Sequence, residues 1–168
     1  MKEMPSETVV LIDSGPLGKL VDPEQHPEVK DWLAFMKKRK ILIRVPQICD
    51  YELRRELILQ NFTKSIGRLD RFQQQNQFLP LSEDDFFEAA EIWAGLRKTG
   101  QPTSDDRGLD GDVILAAQAI SQQQEFEQVI ILTENERHIP RFQPWGIHTW
   151  LWKQAIVDCR YGEINLYQ

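Results

Sequence analysis

Residues 8–13, Thr8-Val9-Val10-Leu11-Ile12-Asp13, decide how the rest of the chain is read. A strand with one wet face alternates apolar and polar side chains, whereas TVVLI is a short continuous apolar run, the mark of a strand covered on both faces in a parallel sheet. Asp13 ends that run with a carboxylate where the strand leaves the sheet. In open α/β sheets ligands gather beyond the C-terminal strand ends, so Asp13 is either a turn-forming residue or a ligand at that edge.

Working outward, the same kind of run returns as ILIRV (41–45), QVIILT (128–133) and GIHTW (146–150), with helical patterns between. Pro16 suits the first turn of a helix after β-type residues 8–12. Val29, Trp32, Leu33 and Met36 recur at helical spacing over 27–39, and Pro46 stops the second strand. Helices are expected over 47–60 and 62–76. Ser82 reads as the N-cap of a helix with acids in its first turn and Gly100 at its stop. A polar loop over 101–111, a helix near 111–124 and a short turn or helix near 135–142 complete the pattern. Strands alternating with helices predict an α/β fold with a mostly parallel sheet covered on both faces. Residues 151–168 are expected either to close the sheet or to join an interface.

The chain has 168 residues, enough for one core, and a single domain over 1–168 is expected. No apolar stretch approaches the about 20 residues needed to span a bilayer, and the N-terminus lacks the pattern of a signal peptide, so a cytoplasmic protein is expected. Cys49 and Cys159 match neither a disulfide framework nor a CxxC site; both are read as reduced, Cys49 packed in a helix. The net charge of −6 argues against holding nucleic acid by bulk electrostatics but leaves room for a carboxylate site whose metal offsets several of those charges. Arg54, Arg55, Arg68, Arg71 and the run 37–40 are the candidate phosphate contacts, the last read chiefly as the cationic end of a helix. Phe142, Trp145, Trp150 and Trp152 are read as core or interface.

Four acidic positions lie far apart in the chain, each beside an apolar run: Asp13, Glu52 in DYELRREL, Asp112 before VILAAQAI, and Glu134 or Glu136 after VIILT. They converge only if the strands are parallel, and such hard oxygen donors suit Mg²⁺ or Mn²⁺. Asp110 competes with Asp112; one is expected as an N-cap and the other as a ligand. No GxGxxG or GxxxxGK[ST] is present, so a nucleotide cofactor is not indicated. Gly15 stands where a haloacid-type phosphatase would need a second Asp, which weakens a phosphotransfer reading.

The segments VLIDSGPL (10–17), VPQICDYELRREL (45–57), LPLSEDDFFEAAEIWAGLRKTGQP (79–102) before LDGDVILAAQAI (109–120), and IILTENERHIPRF (130–142) together resemble the PIN-domain nucleases, most closely the VapC-type toxins that are paired with an antitoxin. The resemblance spans residues 8–150. It implies a PIN-like three-layer α/β/α fold and a metal-dependent endoribonuclease in which Asp13, Glu52 and Asp112 bind one or two Mg²⁺ or Mn²⁺ ions. It also implies a homodimer with an antitoxin partner. Ser14 and Thr133 are candidates to hydrogen-bond a carboxylate or a metal-bound water. At the fourth acidic position of the family this chain has Thr133-Glu134-Asn135-Glu136; Asn135 is favoured as the aligned residue, with Glu136 next, and an amide brings no charge to a metal. His138 is expected at the surface. A catalytically weak protein that binds RNA or a partner is the alternative expectation.

Overall fold

The computed structural model describes residues 7–75, 77–100 and 106–166, and side chains throughout these except at 106–109. Five strands, β1 (Thr8–Ile12), β2 (Leu42–Pro46), β3 (Phe78–Leu79), β4 (Gln128–Thr133) and β5 (His148–Leu151), form one sheet in the order β3-β2-β1-β4-β5 with every pairing parallel. Val9 to Ile12 and Val129 to Leu132 are buried along their whole length, as continuous apolar runs require when helices cover both faces. Each such side chain contributes about 1.5–3 kcal/mol by leaving water.

Between the strands lie α1 (Ser14–Leu20), α2 (Glu28–Lys38), α3 (Gln47–Leu59), α4 (Thr63–Gln74), α5 (Glu83–Lys98), α6 (Asp106–Gln122), α7 (His138–Phe142) and α8 (Trp152–Tyr161). The three-layer α/β/α arrangement expected from the sequence is the one observed. The Ser82 cap of α5 is a full capping box, its hydroxyl accepting from the Asp85 N–H while the Asp85 carboxylate accepts from the Ser82 N–H. Lys37 and Lys38 end α2, as the dipole favours.

Two expectations need correction, and one strand was not anticipated. The helix expected near 111 begins at Asp106, so Asp110 and Asp112 both lie inside it and neither is its N-cap; the part of the polar loop at 101–105 lies outside the described residues. Glycine in a helix costs about 1 kcal/mol, and α6 is held by packing on α5, where Ala89 and Val113 meet at one groove. The two-residue β3 was too short to show a periodicity; the buried amide of Gln118 on α6 holds it, donating to Leu79 O at 3.0 Å and accepting from the Ile48 N–H at 3.4 Å.

The C-terminal segment joins the fold as α8, which packs on α2 and puts Trp152 beside Trp32, their ring centroids 5.8 Å apart. Buried Asp158 anchors it. Its carboxylate accepts from Trp150 Nε1 at 2.8 Å, from Gln154 Nε2 at 2.7 Å, and from the backbone N–H and side-chain amide of Asn165 at 2.8 and 2.7 Å. Asp158→Ala strands the buried Trp150 N–H and is expected to lower unfolding stability by about 1–3 kcal/mol, read as an earlier urea midpoint; an unchanged midpoint would show that this anchor is energetically idle.

Candidate active site

Asp13 follows β1 directly and caps α1, its carboxylate accepting from the Ser14 N–H at 2.8 Å. Its own N–H donates to Leu132 O at 2.9 Å, continuing the β1–β4 ladder, and so Thr133 at the end of β4 arrives beside it. The Thr133 hydroxyl donates to the second Asp13 oxygen at 2.7 Å. Glu52 comes from the second turn of α3, and Asp112 from the part of α6 that crosses the same edge. Asp13, Glu52 and Asp112 line one polar cavity of about 340 Å³ together with Ser14, Gly15, Thr133, Glu134, Asn135 and His138. The three acids that the sequence singled out as a set therefore meet at the C-terminal edge of the sheet.

Asp110 and Asp112 part company because residues two apart on a helix point to nearly opposite sides. Asp110 lines a separate groove with Phe86, Trp93 and Val113. Glu136 lines a neighbouring cavity with Lys153 and Trp152 rather than the carboxylate cavity. Glu134 borders both cavities and pairs with Lys19 at 2.9 Å. Asn135 faces the carboxylate cavity while its side-chain oxygen accepts from the Arg137 N–H at 3.0 Å. Arg54 is committed to buried Asp50 and to Asp70, at 2.9 and 2.7 Å; Arg55 is exposed, its guanidinium 5.5 Å from the Tyr51 ring centroid.

His138 is not a surface residue. It is 4 % exposed, stacked edge-on against Phe142, with Nδ1 3.3 Å from Asp13 Oδ2 and 3.2 Å from the Thr133 hydroxyl, and Nε2 3.0 Å from Asp112 Oδ1. Arg141, three residues on and so on the same face of α7, pairs with the other Asp112 oxygen. Neither residue stood out in the sequence, although a His and an Arg three apart just after a strand-end Thr are the signal that could have marked them. Gly111 is the other unanticipated feature: a Cβ there would collide with the Glu52 carboxylate, which lies directly against the α6 backbone.

Charge is unevenly distributed in this cluster. Burial alone would raise the Asp13 carboxyl, but hydrogen bonds from His138, Thr133 and the Ser14 N–H, with the His138 charge, hold it below the usual value. Burial also acts against charge on His138, yet its bonds to Asp112 and Asp13 prevail and push the imidazole up to about 9. Glu52 is raised by burial and by the neighbouring Asp13 and Asp112 charges, against which its hydrogen bond with Ser14 and the charge of Arg55 are insufficient. Burial, followed by the charges of Asp13 and Glu52, pushes the Cys49 thiol up and keeps it protonated beneath the site.

Three carboxylates in one polar cavity, one of them short of positive charge, are the donor chemistry that a hard divalent cation takes. As the side chains stand, no three His, Cys, Asp or Glu residues among those described form a group that could hold an ion, and Asp112 is paired with His138 and Arg141.

His138 binds its proton more tightly in the folded protein than at its ordinary value of 6.5, so it adds stability that is complete below about pH 6.5 and lost as the pH rises through about 9. Chemical denaturation of the metal-free protein is expected to show that decline between pH 6.5 and 9, and His138→Asn to remove it; an equal slope in the variant would contradict the bridge.

No family model matches the chain, and no curated protein does. Among solved structures, a chain in VapBC2 from Rickettsia felis bound to a DNA fragment from its promoter superposes with a TM-score of 0.65 at 16% identity, over 86% of this chain and 98% of that one. A chain in VapBC-1 from nontypeable Haemophilus influenzae gives 0.59 at 16% identity, over 86% and 98%. A chain in FitAcB from Neisseria gonorrhoeae gives 0.55 at 19%, over 83% and 95%. At these identities the likeness speaks to architecture, and in architecture this chain is a VapC-like PIN fold along most of its length.

Proposed function

We propose that the chain is a metal-dependent endoribonuclease that hydrolyses RNA phosphodiester bonds at the cavity formed by Asp13, Glu52 and Asp112. The observation that carries this reading is the meeting of three carboxylates, from the end of β1, from α3 and from α6, at one open sheet edge. These three residues would hold Mg²⁺ or Mn²⁺. A bound ion supplies an activated water and neutralises charge on the leaving oxygen.

The chain's own groups do the positioning. Thr133 and the Ser14 N–H fix both Asp13 oxygens, so the carboxylate nearest the sheet cannot rotate away. Gly111 lets Glu52 lie against α6 and aim its carboxylate beside Asp112. Asn135 presents a neutral amide at the rim, which limits the total negative charge facing a phosphodiester. Arg55, exposed on α3, is a candidate phosphate contact.

The VapBC likeness supports a toxin-like protein with an antitoxin partner; we further propose that it acts as a single-domain homodimer in the cytoplasm. A protein that binds RNA or a partner without cleaving it is the second reading, and the cations resting on Asp112 are what favour it.

Cleavage of a mixed RNA pool by the purified, partner-free protein is expected with Mg²⁺ or Mn²⁺ and not with EDTA. Asp112→Asn, which keeps shape and loses charge, is expected to lower the rate at least about 100-fold; undiminished cutting would exclude the site. Gly111→Ala separates stability from activity. Alanine favours a helix by up to about 1 kcal/mol, so the melting temperature is expected to hold or rise, while the displaced Glu52 lowers cleavage at least about tenfold. Equal cleavage by Gly111→Ala would show that the position of Glu52 is unimportant.

A further inference from the structure

Among the described residues, Asp112 is the one carboxylate of the cavity with both oxygens held by cationic side chains: His138 Nε2 lies 3.0 Å from Oδ1, and the Arg141 guanidinium pairs with Oδ2. Through its other ring nitrogen His138 also reaches Asp13, so one imidazole spans two of the three proposed metal ligands. A divalent ion placed between these ligands would sit where the two side chains now supply positive charge.

The two cations are not held alike. His138 is 4 % exposed and fixed by the Thr133 hydroxyl and the Phe142 ring. Arg141 reaches Asp112 from α7, a helix of only five residues, with its side chain 18 % exposed. An arginine side chain of that kind has a solvated alternative close by, whereas a buried imidazole would have to leave an apolar contact and two carboxylates at once.

Resting on the reading of Asp13, Glu52 and Asp112 as metal ligands, we propose that His138 and Arg141 form an intramolecular cationic clasp on Asp112, and that a divalent cation enters this site by displacing the Arg141 guanidinium. The clasp leaves donors of the right chemistry in the cavity while the chain's own cations meet the charge of Asp112. It makes Arg141 a positioning residue whose removal strengthens metal binding, the reverse of what loss of a ligand or of a merely structural residue does.

Calorimetric titration of Mg²⁺ into the full chain and into Arg141→Gln, at one fixed pH, tests this. Removal of a competing cation is a coupling between two binding events, and the variant is expected to bind Mg²⁺ at least about fivefold tighter. Equal or weaker binding by a folded variant overturns the clasp. A second measurement needs no variant: in ¹⁵N spectra of the wild-type protein, saturating Mg²⁺ is expected to move the Arg141 Nε–H resonance to that of a free guanidinium, and an unmoved resonance overturns the proposal. Tighter binding by Arg141→Gln with no RNA cut by either protein upholds the clasp and rejects the nuclease reading. Absence of Mg²⁺ binding in both proteins overturns both.

Discussion

The hydrogen bond from the Asp13 N–H to Leu132 O carries the parallel pairing of β1 and β4 one residue beyond the strand and sets Asp13 beside Thr133. An ionised carboxylate so nearly buried at the end of a central strand is costly unless donors surround it. Most of what lies around it meets that demand: the first N–H of α1, the Thr133 hydroxyl and the His138 imidazole. These donors come from α1, β4 and α7, while Glu52 and Asp112 reach the same cavity from α3 and α6. The sheet thus fixes the site because its two central strands end together.

Electrostatics explains why the cluster tolerates three acids. Burial and the neighbouring Asp13 and Asp112 charges raise the Glu52 carboxyl, whereas at Asp13 burial is overcome by the hydrogen bond and charge of His138, with Thr133 and the Ser14 N–H, and the carboxyl is lowered. The cavity is polar because carboxylates, hydroxyls, an amide and an imidazole line it. In the proposed metal site, a divalent ion and the pair of organic cations would be two solutions to the same excess of negative charge, competing for Asp112.

What could be read from the sequence follows from how local each cause is. TVVLI and VIILT are legible because burial on both faces removes polar residues from the run itself, and Ser82 with Asp85 is legible because capping acts within four residues. Asp13, Glu52 and Asp112 were recognisable because each sits beside such a run. The start of α6 was not, since 101–111 reads as a polar loop, whereas the helix packs on α5, α3 and β4, partners distant in sequence. His138 was taken for a surface residue because its partners, Asp13 and Asp112, lie 125 and 26 residues away in the sequence. The choice between Asp110 and Asp112 likewise depended on the helix phase that the misplaced boundary concealed.

The convergence of three carboxylates on a cation is tested most directly by crystals of the protein grown with saturating Mn²⁺, with data collected at the manganese absorption edge. An anomalous peak is expected between the Asp13, Glu52 and Asp112 carboxylates. Manganese bound elsewhere, with that position empty, would contradict it.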